Sequence, residues 1–394
     1  MPLHAKVLAL QDDAGRRLAL VTLDLLGITA AMRRRIASRL AGALPSHALV
    51  LSSSHTHCGP VVDDQLSVAY DLDADQRARI AQYTAQLEDI IVATVTRAMA
   101  AQEPVTLRWS EGTAAFAANR RVQFLPPGPV EHRVPVLRVD SSSGAPFALV
   151  FGYACHNTTL QAGMHQFHGD YAGVAQREIE AAQPGVTAMF VAGCGADANP
   201  APRGTLELVE AHGHALAAAA RAASVSGIPL DGGISTALSV VDVPFKQLPG
   251  AEEWRARLAD ADVYVRRHAR LMLDRLARDG RLEPAYAEPI QVVGLGPLRF
   301  VALGGEVVAD YALRLRREHA STPLWVAGYC NDVSAYVPSL RVLLEGGYEG
   351  GGAMIYYGRP GPFDPSVEER IVREADRLLS AATRAADHWK GRPS

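Results

Sequence analysis

Two histidines separated by one residue, His55 and His57, follow a short apolar run and precede a Gly-Pro pair. The run predicts a strand over residues 48–52, and α/β proteins keep binding and catalytic groups at strand ends. Residues two apart in an extended chain point to the same side. The two imidazoles could share one metal ion, divide into ligand and catalytic partner, or form a hydrogen-bonded pair.

Two later apolar runs also end abruptly in polar residues. Residues 147–153 lead into His156, and residues 188–192 lead into a glycine-rich segment that contains Asp197 and Asn199. Small residues allow a close approach of the backbone and could present amide groups to an oxyanion, although they serve equally well in a tight turn. A third histidine therefore stands where a site would be assembled.

Two more strand ends carry candidate oxygen ligands. Glu306 follows the run 298–303 and a Gly-Gly pair, and because glutamate is a poor helix N-cap, a functional role is favoured. The run 324–328 leads towards Tyr336 and then Tyr348 in a glycine-rich segment. Two histidines, a glutamate and one further oxygen would suit zinc with an open coordination position.

The elements that must position these residues alternate along the chain. Short apolar runs predict strands at 5–10, 18–23, 48–52, 105–109, 135–139, 147–153, 188–192, 298–303 and 324–328. Amphipathic segments predict helices from about residue 75 and over 170–182, 206–223, 252–278, 307–319 and 367–386. Such alternation is typical of a layered α/β fold.

The composition narrows the classes of function. The chain has 394 residues, 48% of them hydrophobic, and no linker or low-complexity tract divides it, so we expect one domain over residues 1–394. A net charge of -3 argues against a nucleic-acid partner, and no apolar run is long enough to span a membrane. The low number of cysteines, four, and the absence of a signal-peptide pattern favour a cytoplasmic location. The sequence is compatible with a homo-oligomer.

The ordered motifs resemble those of the neutral, non-lysosomal ceramidases and their smaller bacterial relatives. Residues 53–60 read Ser-Ser-His-Thr-His-Cys-Gly-Pro, which fits the family's signature closely. The likeness continues in order through 119–120, 156, 169–170, 193–200, 305–306, 331–337 and 348–350. The resemblance implies layered mixed β-sheets flanked by helices and a metal-dependent amidohydrolase.

The resemblance also implies roles for individual residues. It implies Zn²⁺ held by four ligands, which are His55, His156, Glu306 and Tyr336. It places His57, Arg120 and Tyr348 near the scissile bond, where zinc-activated water attacks an N-acyl amide. A phenol titrates near 10 in water, so a tyrosine ligand needs a metal or a comparable positive charge beside it.

The chain departs from the ceramidase pattern at three places. We expect no C-terminal immunoglobulin-like domain after the last predicted helix, and we expect shorter loops around the position of the ceramidases' lipid groove. Asn199 replaces a serine of the family's pattern. A strand that relatives carry before residue 5 is missing, so we expect a native chain that starts upstream of Met1 or is shortened. These departures favour a small, soluble amide substrate over ceramide.

The sequence thus predicts zinc-dependent hydrolysis of an N-acyl or cyclic amide, with His57 moving the proton and Tyr348, Arg120 and Asn199 assisting. Asp170 and Asp197 are expected to orient the histidines from behind. One alternative makes a cysteine, Cys58 or Cys155, the nucleophile beside a histidine. Another alternative is a metal-stabilised binding protein without turnover.

Overall fold

The computed structural model describes residues 1–333 and 335–390, with side chains described up to residue 382. The strands are β1 (Ala5–Gln11), β2 (Arg17–Leu23), β3 (Leu49–Ser53), β4 (Val105–Thr113), β5 (Ala117–Asn119), β6 (Arg133–Ser141), β7 (Pro146–Tyr153), β8 (Thr187–Ala192), β9 (Ala198–Pro200), β10 (Ile228–Pro229), β11 (Ile234–Pro244), β12 (Ala285–Leu295), β13 (Leu298–Leu303), β14 (Glu306–Val307), β15 (Leu324–Ala327) and β16 (Tyr336–Val337). The helices are α1 (Ala30–Leu40), α2 (Ala74–Ala100), α3 (Asp170–Ala182), α4 (Leu206–Ser224), α5 (Ala251–Arg257), α6 (Val263–Asp279), α7 (Ala309–Glu318), α8 (Leu340–Glu345) and α9 (Val367–Lys390).

Three mixed sheets form the centre of the fold. Their strand orders are β1-β2-β3, β10-β4-β6-β7-β8 and β11-β12-β13-β15. In each sheet antiparallel pairs are joined by one parallel pair, which is β2/β3, β7/β8 or β13/β15. The predicted α/β class with mixed sheets is confirmed.

Helices cover these sheets with their apolar faces. α2 packs on β1 and β2 of the first sheet, and α1 packs on α2. α3 and α4 pack on the second sheet, and α9 packs on β11 and β12 of the third. Along α2, Leu87, Ile91 and Val95 recur at four-residue steps and are buried in one hydrophobic cluster. Asp73 begins α2 because its side chain accepts a hydrogen bond from the Gln76 amide.

The predicted helix over 252–278 is wrong, because two helices occupy that span. α5 ends at Arg257, and α6 begins at Val263 after Asp262 accepts a hydrogen bond from the Tyr264 amide. An aspartate that caps a helix favours a new start over continuation of the preceding helix. α5 and α6 form a helical hairpin, inserted between β11 and β12, with its own small apolar cluster.

Backbone hydrogen bonds at the ends of the strands connect the three sheets. The Ser53 amide donates to Tyr329 O at 3.1 Å, and the Gly328 amide donates to Ala192 O at 3.2 Å. Gly195 lies so close to the chain after β7 that a Cβ would stand 2.3 Å from the Cys155 nitrogen. The polar residues that follow β3, β7, β8, β13 and β15 therefore meet in one place.

Across the described part of the chain, none of the helices combines the length and the hydropathy that crossing a bilayer requires.

Candidate metal centre

His55 and His156 enter the site from two different sheets. Each follows a strand, β3 or β7, and each is only 1% exposed. His55 lies at φ 61°, a left-handed conformation that is uncommon for a residue with a side chain and that concentrates at functional sites. The chain is therefore not extended at His55, contrary to the alternation used for residues 55 and 57.

Backbone carbonyls fix the tautomer of both imidazoles. His55 Nδ1 lies 2.6 Å from Leu26 O, and His156 Nδ1 lies 3.0 Å from Gly195 O. A carbonyl can only accept, so each Nδ1 carries a proton, and each Nε2 presents a lone pair when its ring is neutral. Both Nε2 atoms point to the same carboxylate oxygen, Glu306 Oε2, at 3.0 Å.

Glu306 and Tyr336 face each other across the short parallel pair β14/β16. Glu306 is 2% exposed and receives a hydrogen bond on Oε1 from the Tyr357 hydroxyl. Its Oε2 has no hydrogen-bond donor among the residues that the structure describes. The Tyr336 hydroxyl lies 3.2 Å from His156 Nε2, and the two rings are stacked with an interplanar angle of 13°.

His57 reaches the same point from the mouth of the site. Its Nε2 lies 3.2 Å from His55 Nε2, and ligand atoms of His55, His57 and His156 all lie within 4.8 Å of one another. Although part of His57 faces solvent, its ring lies among protein atoms, and this desolvation together with His55 and His156 lowers the pKa of His57 well below its usual value. Among the described residues, its Nδ1 has no carbonyl partner of the kind that fixes the other two rings.

This donor set fits a metal ion such as zinc. Zinc bonds of roughly 2.0 to 2.1 Å in a tetrahedron place neighbouring ligand atoms about 3.3 Å apart. The separations seen here, 3.0 Å between Glu306 Oε2 and each Nε2 and 3.2 Å between His156 Nε2 and the Tyr336 hydroxyl, lie close to that spacing. Neutral rings would aim their Nε2 lone pairs at the carboxylate and repel it, so the arrangement is favourable when positive charge, a metal ion or a proton, lies between these atoms.

The local electrostatics agree with a bound cation. Burial opposes ionisation of Glu306, yet positive charge on the adjacent His55 and His156 rings outweighs it and holds the pKa of Glu306 well below its usual value. Burial and the Arg120 guanidinium lower the pKa of His156 to about 4, so this ring is neutral near pH 7. Neutral imidazoles and an ionised carboxylate are the protonation states in which these groups bind metals.

Arg120 links the cluster to its surroundings. Its guanidinium donates to Glu349 Oε1 at 2.7 Å, to the Tyr336 hydroxyl at 3.0 Å and to Asn199 Oδ1 at 3.5 Å. Its Cζ lies 5.6 Å from the ring centroid of Tyr348, which is 46% exposed. The structure therefore brings every predicted site residue together, with Asn199 in contact with Arg120 rather than with the histidines.

The two aspartates that were expected to orient the histidines accept hydrogen bonds from other groups. Asp170 is the first residue of α3, and its carboxylate accepts hydrogen bonds from the Leu160 and Tyr171 amides. Asp197 accepts from the Ala309 amide and from Asn119 Nδ2, both at 2.9 Å. The carbonyl oxygens of Leu26 and Gly195 take the orienting role instead. Side-chain type alone could not reveal a backbone partner.

Comparison with solved structures identifies the architecture. A neutral ceramidase from Pseudomonas aeruginosa superimposes with a TM-score of 0.74 over 98% of this chain and 69% of its own, at 17% identity. A ceramidase described as complexed with C2 superimposes with a TM-score of 0.73 over 96% of this chain and 70% of its own, also at 17% identity. This chain has the neutral ceramidase fold. No protein-family profile and no curated protein sequence matches it.

Within the neutral ceramidase fold, the cysteines offer little support for a thiol nucleophile. All four are free, and only Cys58 is partly exposed. Desolvation raises the pKa of each thiol, to about 12 for Cys330 and well above the usual value for Cys155. Because the thiolate is the reactive form, these environments favour the inert thiol.

The sequence reasoning missed two aromatic residues that support the cluster. The Tyr357 hydroxyl donates to Glu306 Oε1, and the Tyr329 ring packs on His55 with centroids 4.5 Å apart. Tyr357 lies outside the segments on which the resemblance to the ceramidases rests. Tyr329 directly follows a predicted strand, as the histidines do, and that position was the available signal.

Proposed function

We propose that the protein is a zinc-dependent hydrolase that cleaves an amide-type bond, with His55, His156, Glu306 and Tyr336 as the metal ligands. The observation that carries the proposal is the convergence of two imidazole Nε2 atoms on Glu306 Oε2 at 3.0 Å. The neutral ceramidase fold supports the choice of amide chemistry.

His57 is assigned to proton transfer in this proposal. Its Nε2 lies at the cluster while the residue itself is exposed, so it can exchange protons with solvent. His55 and His156 are buried and anchored to carbonyls, as metal-bound histidines generally are. His57 is then free to take a proton from water and return it to the leaving amine.

Arg120, Tyr348 and Asn199 are assigned to the charge that develops on the carbonyl oxygen. Arg120 is held by Glu349 and Asn199, so its guanidinium is oriented before substrate arrives. Burial raises the pKa of Tyr336 well above its usual value, and Arg120 opposes that rise by donating to its hydroxyl. Arg120 thus supports both an anionic ligand and an oxyanion.

Zinc at this position would supply a Lewis acid and lower the pKa of bound water towards 7. The chain's own residues then hold the amide, exclude bulk water and move the proton through His57. Only His57 and Tyr348 are exposed within the proposed site, which fits a small substrate entering from one side. We therefore propose a short N-acyl or cyclic amide in preference to ceramide.

The test combines metal analysis with a substrate panel. We expect about one zinc per chain, loss of activity with a chelator, and recovery with zinc but not with a thiol reductant. The panel contains short N-acyl amines, lactams, matched esters and ceramide. Trace zinc with no recovery on addition would reject the metal assignment, and faster ceramide cleavage would reject the small substrate. Tight zinc binding without turnover on any substrate would favour a binding protein.

A further inference from the structure

A row of partly exposed tyrosines leads away from the metal centre. The Tyr348 ring lies 5.2 Å from the Tyr336 ring, the Tyr356 ring lies 6.1 Å from Tyr348, and the Tyr264 ring lies 5.2 Å from Tyr356. We call Tyr348, Tyr356 and Tyr264 the tyrosine row. Its inner end touches a proposed zinc ligand, and its outer end lies on the inserted hairpin.

The hairpin holds the outer end of the row in place. Tyr264 stands in the first turn of α6, and this helix packs against the 3-10 turn Gly352–Ile355 that precedes Tyr356. His268 donates from Nε2 to Arg359 O at 2.8 Å, and Arg267 pairs with Asp71 at 3.0 Å. Three separate segments thus fix the row, so it is available as a preformed surface.

The row remains open to a ligand. Tyr348 is 46% exposed, and Tyr356 and Tyr264 are half-buried. The neighbouring Tyr70 is 41% exposed, and the Tyr264 phenol contributes to a raised pKa of Tyr70. Large aromatic side chains usually bury most of their surface, so several open rings beside a metal centre indicate a binding surface.

We propose that the tyrosine row binds an aromatic ring carried by the substrate, next to the bond that is cleaved. This inference rests on the proposed amide hydrolase function. The rings already pack edge-to-face or tilted at 5.2 to 6.1 Å, and an added aromatic ring can continue that packing. An alkyl chain would cover phenol hydroxyls without replacing their hydrogen bonds to water, whereas leucine or methionine would line a groove for it.

The kinetic test compares N-benzoyl, N-hexanoyl and N-acetyl derivatives of one amine. Tyr264→Leu and Tyr356→Leu keep apolar bulk but remove the ring, and neither residue is assigned to the chemistry. We expect each to lower kcat/KM for the benzoyl amide about fivefold to tenfold and to leave the acetyl amide unchanged. Tyr83→Leu on α2, remote from the row in the first-sheet cluster, is the matched control and should change neither.

A binding measurement separates this inference from the proposed function. The zinc-loaded protein is titrated calorimetrically with benzamide and with cyclohexanecarboxamide, which is similar in size but has no aromatic ring. Tighter benzamide binding that is weakened by Tyr264→Leu supports the row as an aromatic subsite, even if no amide is hydrolysed. Equal affinity for the two probes, or benzamide binding unaffected by both tyrosine variants, overturns it.

Discussion

Glu306 and Glu288 are two buried carboxylates with opposite electrostatic environments. Glu306 is 2% exposed and Glu288 is 0% exposed. Glu288 lies on β12 beside Gly304, where an added Cβ would stand 2.8 Å from its Oε1. Among the described residues, neither oxygen of Glu288 has a hydrogen-bond partner of good geometry, and the nearby Gly304 amide donates to Pro289 O at 3.1 Å.

The neighbours of the two groups decide their charge. Burial and the nearby Asp332 raise the pKa of Glu288 well above its usual value. Glu306 faces imidazoles instead of a second carboxylate, and its pKa is lowered despite the burial. Burial beside a second carboxylate therefore keeps a glutamate protonated, whereas adjacent positive charge keeps a buried glutamate ionised. A protonated Glu288 carries no charge into the interior, and an ionised Glu306 offers a negative charge to a metal ion.

The largest expected difference is in metal binding. Glu306→Gln removes the anionic oxygen at the centre of the cluster, so zinc affinity should fall by roughly a hundredfold or more. Glu288→Gln is the matched control, a change of the same size in an equally buried residue outside the cluster. It should leave zinc content per chain unaltered. Equal loss of zinc in both variants would remove the distinction between the two carboxylates.

The sequence predicted the strands whose ends carry the residues of the metal cluster. All nine predicted strands are present within one or two residues at most boundaries, with β4 extending further, and they deliver His55, His156 and Glu306 to one point. The sequence missed β12, because Glu288 and Pro289 interrupt its apolar pattern. It also missed α1, whose three consecutive arginines obscure a face that buries Met32 and Ile36.

What lies behind the ligands could not be predicted in the same way. The Nδ1 partners of the histidines are carbonyl oxygens, which every residue carries and no motif marks. Tyr357 approaches Glu306 from a turn 51 residues along the chain, so only the assembled fold brings the two together. Residue types at strand ends therefore predict the candidate metal ligands, and tertiary packing supplies the groups that orient these ligands.

The second prediction divides the cluster into ligands and catalytic residues. His57→Ala and Tyr348→Phe should keep full zinc occupancy but lose activity by roughly a hundredfold to a thousandfold, as expected for a lost proton shuttle or oxyanion donor. His55→Ala should abolish zinc binding, and Tyr336→Phe should weaken it. Zinc content and turnover are measured on the same four preparations. Loss of metal in His57→Ala but not in His55→Ala would reverse the two roles.

The third prediction concerns the pH dependence of stability. Because the pKa of Glu288 is raised in the folded state, its favourable contribution is present below the ordinary value of 4.5 and is lost as pH rises above it. Relative to Glu288→Gln, the wild type should lose stability above that pH by up to about 1.4 kcal/mol per pH unit. Urea unfolding at several pH values measures the difference. A constant difference between pH 4 and pH 8 would mean that Glu288 titrates normally.

The smallest expected effect comes from one hydrogen bond on each side of the comparison. The Tyr357 hydroxyl donates to Glu306 Oε1, and the Tyr286 hydroxyl donates in the same way to Asp332 Oδ2. Tyr357→Phe removes the hydroxyl that orients Glu306. Zinc affinity should fall by about tenfold, which is in the range for residues that hydrogen-bond to metal ligands. Tyr286→Phe removes an equivalent bond near Glu288 and should leave zinc affinity unchanged.

Competition with a calibrated zinc chelator measures both dissociation constants, and thermal unfolding in the presence of excess chelator measures what each hydroxyl contributes without metal. We expect the Tyr357→Phe loss to disappear under chelation, since the bond matters chiefly by holding Glu306 towards the cation, and we expect any Tyr286→Phe loss to persist. If Tyr286→Phe weakened zinc as much as Tyr357→Phe did, the Glu288 region would be coupled to the metal centre, and the two buried carboxylates would belong to one site.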